Sequence, residues 1–82
     1  MTGIELRAQM NFEKALTIGS IVEARWTSCY RYYTSKAEVL KVNENSIVIK
    51  PLEVADFDKV SIPRIYNLRR WSGDNGVFPY QA

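Results

Sequence analysis

The sequence predicts a mainly β fold, a small five-stranded barrel preceded by an α-helix. Short runs rich in β-branched and aromatic residues recur from residue 20 onward, and turn signals separate them at intervals of roughly 8 to 12 residues. The first 16 residues have the spacing of a helix instead. The 82-residue chain is shorter than the roughly 100 to 200 residues of a typical domain. We therefore expect residues 1–82 to form a single domain.

The predicted helix covers residues 2–16. Thr2 is a suitable N-cap, and Glu5 stands three positions later, where its side chain completes a capping box. The apolar residues that recur near helical spacing, and so form the predicted buried face, are Ile4, Ala8, Phe12, Ala15 and Leu16. Alternation of apolar residues between Ile4 and Met10 also allows a strand, but the strong helix formers in this stretch favour the helix.

The predicted barrel covers residues 20–70. Its first strand is "SIVEARW", and residues 27–35 contain a loop before the second strand, "KAEVLKV". Residues 43–45, "NEN", predict a tight hairpin turn into the third strand, "SIVIKPL", which Pro51 closes. The fourth strand, "FDKVSIP", ends at a proline, and a fifth short strand passes through residues 68–70. Residues 71–82 are predicted to be an irregular tail.

Charge is unevenly distributed along the chain. The net charge is +2, from 11 basic and 9 acidic residues. Residues 52–58 contain three acids and no base, whereas residues 59–82 contain four bases and one acid. A polarised surface of this kind favours an anionic partner such as nucleic acid. An ordinary solvated face of mixed charge is the alternative.

Most catalytic chemistry lacks the residues that it needs. The chain has no histidine and a single cysteine, Cys29. Neither a Ser–His nor a Cys–His nucleophile pair is therefore present, and we expect Cys29 to be a half-buried, unreactive thiol. The sequence has no spaced cluster of metal ligands and no glycine-rich phosphate loop. We expect no enzymatic activity, no catalytic residue, no metal and no cofactor.

The expected location is cytoplasmic, without a membrane partner. A single cysteine cannot form an internal disulfide, which favours a reducing compartment. The longest aliphatic run, Ile47–Ile49, is far shorter than the roughly 20 residues of a membrane span. The N-terminal stretch has mixed charge and lacks the apolar segment of a secretory signal.

Four aromatic rings and an arginine lie within the eight positions from 26 to 33, and Arg25 precedes them. Strand alternation would place Trp26, Tyr30 and Tyr32 on one face, and Arg25, Arg31 and Tyr33 on the other. Exposed rings stack on bases, and basic side chains neutralise phosphate. The predicted nucleic-acid-binding residues are Arg25, Tyr30, Arg31, Tyr33, Lys36, Arg64, Arg69 and Arg70.

A pattern of common residue types also runs through the first three predicted strands, in "IGSIVEARW", "YY", "AEVLKV" and "SIVI". Its members are Gly19, Val22, Ala24, Trp26, Tyr32, Tyr33, Ala37 and Val39. This pattern resembles the opening strands of Tudor-like domains, which belong to the SH3-like group of small barrels. The resemblance covers about residues 18–62 and implies a five-stranded SH3-like barrel.

The resemblance further implies an aromatic cage for a cation such as a methylated lysine or arginine. The cage would consist of Trp26, Tyr33 and Phe57, with Asp58 as the acidic partner. Two features depart from the family pattern. Residues 34–36 separate the aromatic pair from "AEV", and "DFD" stands where the family has a glycine-containing motif.

We therefore expect a non-enzymatic binding module that contacts nucleic acid, either DNA or RNA, through a basic face with exposed aromatic rings. The alternative is a protein-interaction module in which the same aromatic cluster binds a peptide or forms a homo-oligomer interface.

Overall fold

The computed structural model describes residues 2–81, and its helix and five strands confirm the predicted mainly β fold. The elements are α1 (Gly3–Lys14), β1 (Ile21–Ser28), β2 (Arg31–Val42), β3 (Ser46–Pro51), β4 (Val60–Pro63) and β5 (Gly76–Pro79). The strands form one antiparallel sheet in the order β4-β3-β2-β1-β5. The sheet curls into a half-barrel, with β4 and β5 at its two edges.

Helix α1 begins as predicted, and part of its predicted apolar face packs against the core. The Thr2 side chain accepts a hydrogen bond from the Glu5 N–H, and the Glu5 carboxylate accepts one from the Thr2 N–H, so the capping box is confirmed. Of the predicted apolar face, Phe12 and Leu16 pack against the core, but Ile4 is 83% exposed and Ala8 and Ala15 are also exposed. Glu13 is 0% exposed instead, because the barrel offers it polar partners.

A two-residue turn joins β1 to β2 where the sequence predicted a loop over residues 27–35. Cys29 and Tyr30 both have positive φ, 51° and 64°, as a tight hairpin turn of this length requires. The turn reverses the alternation, so that Trp26 pairs with Tyr33 across the strands and both rings lie on the inner face. The predicted grouping of Trp26 with Tyr30 and Tyr32 is therefore wrong. Cys29 is exposed at the turn rather than half-buried.

The inner face of the curled sheet forms the core. The pairing of β2 with β3 contains a β-bulge, since its register shifts from Val39 to Lys41. A bulge bends a strand and increases its twist. The bend allows the 12-residue β2 to curve around the core. The buried apolar residues of this core are Val22, Ala24, Trp26, Ala37, Val39, Ile47, Ile49, Ile62 and Val77.

The second half of the chain confirms three predicted boundaries and corrects one strand. The turn at residues 43–45, the end of β3 at Pro51 and the end of β4 at Pro63 are as predicted. Residues 68–70 are in turns, however, and the fifth strand lies within the predicted tail, at residues 76–79. This strand pairs with β1, a partner more than 50 residues earlier in the sequence, so local patterns do not indicate it.

The two edges of the sheet have different surroundings. On β5, the Val77 carbonyl oxygen accepts a hydrogen bond of 2.7 Å from Gln9 Nε2 of α1, so the helix covers this edge. On β4, none of the strands in residues 2–81 pairs with the outer edge. An open seam therefore remains beside β4, and unpaired strand edges are natural places for a partner to bind.

Candidate functional site

The predicted nucleic-acid-binding residues do not share one surface. Tyr30 and Arg31 are exposed at the β1–β2 turn. Lys36 lies elsewhere on the sheet, with its Nζ 5.2 Å from the centre of the Tyr80 ring. The remaining basic residues lie in β1 and in the turns after β4. The structure thus divides the predicted set, and only part of it surrounds a common cavity.

Arg64 is removed from the candidate surface, because it is 7% exposed and its groups are engaged inside the fold. Its Nε lies 3.5 Å from the Glu13 carboxylate, and a terminal guanidinium nitrogen donates to the Asn43 carbonyl oxygen at 2.8 Å. The guanidinium also lies 5.0 Å from the centre of the Tyr66 ring. This arginine therefore holds α1 against the barrel, and no ligand is needed to satisfy its charge.

Glu13 is the other half of this buried clamp. Its carboxylate accepts hydrogen bonds from the Ile65 N–H, at 3.2 and 3.3 Å, and from Gln9 Nε2 at 3.2 Å. Burial raises the pKa of the Glu13 carboxyl above its ordinary value, while these hydrogen bonds and Arg64 act in the opposite direction. The group serves the packing of α1, since it lies away from any described cavity.

The three rings of the predicted cage do come together. Trp26 and Tyr33 are stacked with centres 5.5 Å apart, and the Phe57 ring meets both edge-on, at 5.5 and 5.1 Å. A cage requires a cation to sit over the ring faces, within about 6 Å of their centres. Here the rings contact one another and occupy that space. The arrangement is a packed cluster at the edge of the core, and Asp58 lies exposed beside it.

A cleft of about 460 Å³ opens between β4 and the C-terminal half of β1. Because β5 pairs with β1 only as far as Arg25, the last three residues of β1 border this opening. We call it the seam cleft. All four residues of β4 form one wall, and the other side chains around it include Arg25, Trp26, Phe57, Lys59, Arg70 and Asn75.

The seam cleft is basic. None of its lining residues is acidic. Lys59 and Arg70 are exposed, and within residues 2–81 the only salt bridges join Arg25 to Glu23 and Arg64 to Glu13. Arg25 is thus partly neutralised, and its guanidinium lies 4.4 Å from the centre of the Phe78 ring. Two unpaired cations and one paired cation therefore face a single opening, an arrangement that attracts anions.

Trp26, which lines the seam cleft, carries a buried donor without a partner. Trp26 is 5% exposed, and its indole N–H has no hydrogen-bond acceptor within the described part of the chain. A buried donor without a partner costs about 1–3 kcal/mol.

The turn before β5 forms part of the rim of the seam cleft. Thr27 Oγ1 donates to Asn75 Oδ1 at 3.3 Å, and the Tyr32 hydroxyl donates to the Asp74 carbonyl oxygen at 2.8 Å. These contacts fasten the turn before β5 to the β1–β2 hairpin and place Asn75 beside the cleft. Tyr32 therefore has a structural partner, which the sequence did not indicate.

Six side chains outside β4 were named above as lining the seam cleft. Sequence reasoning identified four of them and missed Lys59 and Asn75. Arg25 and Arg70 were predicted as nucleic-acid contacts, and Trp26 and Phe57 as cage members. Lys59 is one of the four bases of residues 59–82, but no local pattern placed it beside the aromatic cluster. One signal was present: Lys59 lies directly before β4. A side chain at the end of a strand lies close to any molecule that binds along the open edge of that strand.

Comparison of the chain with protein-family models, with curated proteins and with solved structures found no match. The Tudor-like resemblance therefore stays a prediction. The single helix within residues 2–81 lacks the length and apolar character that crossing a membrane requires.

Proposed function

We propose that this chain is a non-enzymatic binding module that contacts nucleic acid through the seam cleft. The observation that carries the proposal is the convergence of Arg25, Lys59 and Arg70 on one cleft whose lining contains no carboxylate and includes Trp26 and Phe57. Basic side chains neutralise phosphates, and aromatic side chains receive bases. The same cleft combines both kinds of group.

The proposal keeps two finer expectations. A small barrel of the Tudor-like kind is supported by the joining of Trp26, Tyr33 and Phe57 in one cluster. A reducing, cytoplasmic location is supported by the exposed free thiol of Cys29, since an exposed thiol is readily oxidised outside such a compartment.

Salt dependence tests the proposal directly. The measurement is fluorescence anisotropy of labelled DNA and RNA strands of about 12 nucleotides, titrated between about 50 and 200 mM salt. We expect the logarithm of the affinity to fall linearly with the logarithm of the salt concentration, by about 0.7 per neutralised phosphate on a single strand.

A matched pair of lysine variants locates the contact. Lys59 borders the seam cleft, whereas Lys41 is exposed on β2 and does not line the cleft. Lys59→Ala is expected to lower the salt slope by about one phosphate contact, and Lys41→Ala to leave it unchanged. Absence of DNA and RNA binding at low salt, or an equal loss in both variants, would show that the cleft is not a nucleic-acid site.

A further inference from the structure

A second depression adjoins the seam cleft. It has a volume of about 540 Å³ and is lined by Asn45, Ser46, Ser61, Pro63, Asn67 and Arg70. Ser61, Pro63 and Arg70 also line the seam cleft, so the two cavities meet along this shared wall. The two cavities therefore lie side by side at β4, and we call the pair the edge groove.

The chemistry of the edge groove changes along its length. One end contains the aromatic rings of Trp26 and Phe57 together with Lys59. The other end contains two side-chain amides, from Asn45 and Asn67, and the serine hydroxyls. Arg70 stands where the two ends meet. Rings receive the faces of bases, amides hydrogen-bond to their edges, and an arginine between them is suited to the linking phosphate.

The amide end is held in place by the backbone. The Asn45 carbonyl oxygen accepts from the Arg64 N–H at 2.9 Å, and the Asn67 N–H donates to the Arg64 carbonyl oxygen at 2.8 Å. The Asn67 carbonyl oxygen in turn accepts from the Arg70 N–H at 3.0 Å. The buried clamp therefore fixes the spacing between both asparagines and Arg70. Groups held at a fixed spacing distinguish one base from another better than groups on a mobile loop do.

From this arrangement we infer that the edge groove binds an unpaired strand of nucleic acid across two adjacent base positions. One base packs against Phe57, Arg70 binds the phosphate that follows, and the amides of Asn45 and Asn67 bind the edge of the next base. The inference rests on the proposed function, which it narrows to single strands. Charge complementarity selects this occupant, because neither part of the groove is lined by a carboxylate.

The dimensions agree with a short single strand. β4 has four residues and is therefore about 13 Å long, a length equal to about four nucleotides at the roughly 3.4 Å rise of a stacked strand. A duplex keeps its bases stacked and paired, so their faces and pairing edges are not available to a narrow groove. Only an unpaired strand offers both groups at once.

The test compares strand length and pairing in the full chain. Labelled single strands of about 2, 4 and 8 nucleotides are titrated by anisotropy at low salt, in DNA and RNA arms, beside a duplex of the same sequence. We expect affinity to rise up to about four nucleotides and then level, and the duplex to bind about tenfold more weakly. Equal or tighter duplex binding that still depends on Lys59 overturns this inference and leaves the proposed function standing.

Two variants distinguish recognition of the bases from attraction to the phosphates. Asn67→Ala is expected to change the ratio of affinities among homopolymeric strands by about fivefold with an unchanged salt slope, since an amide contact discriminates bases. Arg70→Ala is expected to weaken all strands alike and to lower the slope. A uniform loss in Asn67→Ala overturns the two-position readout. If instead an acidic peptide of glutamates binds with the same dependence on Arg70 and no nucleic acid binds, both the inference and the proposed function fail.

Discussion

Arg64 and Arg70 are six positions apart in the same stretch of turns, yet they have opposite surroundings. Arg64 is buried, with a carboxylate and a main-chain carbonyl oxygen within reach. Arg70 is exposed at the meeting point of two cavities and has no carboxylate within 4.0 Å in residues 2–81. The comparison teaches that a basic residue marks a binding surface only where the fold has left its charge unsatisfied.

The difference originates in the helix. α1 places Glu13 against the start of the turns that follow β4, where the Ile65 N–H and Arg64 meet it. Burying a charged pair costs desolvation, which the mutual attraction and the added hydrogen bonds offset in part. Within residues 2–81 no carboxylate pairs with Arg70, which keeps its hydration. Its charge is therefore available to a ligand at a smaller desolvation cost.

The largest effect is expected from Arg64→Ala. Removal of one partner leaves the Glu13 carboxylate buried without its cation, so we expect the free energy of unfolding to fall by about 3 kcal/mol. Urea denaturation measures this loss. The double variant with Glu13→Ala should lose clearly less than the two single variants added together. Additive losses would show that the two side chains do not stabilise one another.

Arg70→Ala should weaken binding and leave stability nearly unchanged, the reverse of what is expected for Arg64→Ala. We expect about tenfold weaker binding to a single strand, together with a free energy of unfolding within about 0.5 kcal/mol of the wild-type value. Arg69→Ala is the matched control, because Arg69 is exposed and adjacent but does not line either cavity. Equal losses of affinity in the two variants would indicate general charge attraction in place of a defined contact.

A smaller effect is expected at Asp58. This exposed carboxylate precedes Lys59 in the chain and repels phosphate near the cleft. Asp58→Asn should therefore tighten binding by about twofold at low salt, because exposed charges interact weakly, and the gain should shrink as salt screens the charge. Asp56→Asn, two positions farther from Lys59, serves as the control. Weaker binding in Asp58→Asn would place this acid among the ligand contacts.

The smallest effect is expected in the pH dependence of stability, since hydrogen bonds and Arg64 oppose the effect of burial on Glu13. Its pKa is raised above 4.5 in the folded protein, so the folded state holds the proton more tightly than the unfolded chain does. The stability that this group contributes is fully present below pH 4.5 and is lost as pH rises through the raised value.

Glu13→Gln provides the reference for that measurement, because glutamine does not titrate. The difference in free energy of unfolding between the wild type and Glu13→Gln should fall as pH rises through the acidic range. A difference that grows with pH would mean that the charged form of Glu13 is the one that the fold stabilises.

Local sequence signals predicted the elements that local physics controls. The Thr2–Glu5 capping box, the turn at residues 43–45 and the proline at the end of β4 depend on neighbouring residues, and each lies where the sequence placed it. The apolar helix face was only partly predicted, because hydrophobic spacing assumes an apolar partner surface along the whole helix. Phe12 and Leu16 pack against the core, whereas Ile4 and Ala8 are exposed. Here the barrel meets the helix with a polar network around Glu13.

The candidate site was only partly predictable for a related reason. Trp26 and Phe57 were recognised by their residue type, and Arg70 by its charge, but their meeting depends on the curl of the sheet. Lys59 was missed because nothing local places it beside Trp26 and Phe57. The fold leaves it exposed at the cleft, with no carboxylate within 4.0 Å in residues 2–81. The strand β5 was missed because its partner is distant in sequence.

The sequence by itself determined the mainly β class, the N-terminal helix and its cap, and most turns, because these follow from backbone preferences and contacts between near neighbours. Only the tertiary structure decided which arginine is a clamp and which borders a groove. Strand pairing between distant residues makes β4 and β5 the two edges of the sheet. Helix α1 covers the β5 edge, whereas no strand within residues 2–81 covers the β4 edge. The availability of a charge depends on these distant partners, and no local pattern contains them.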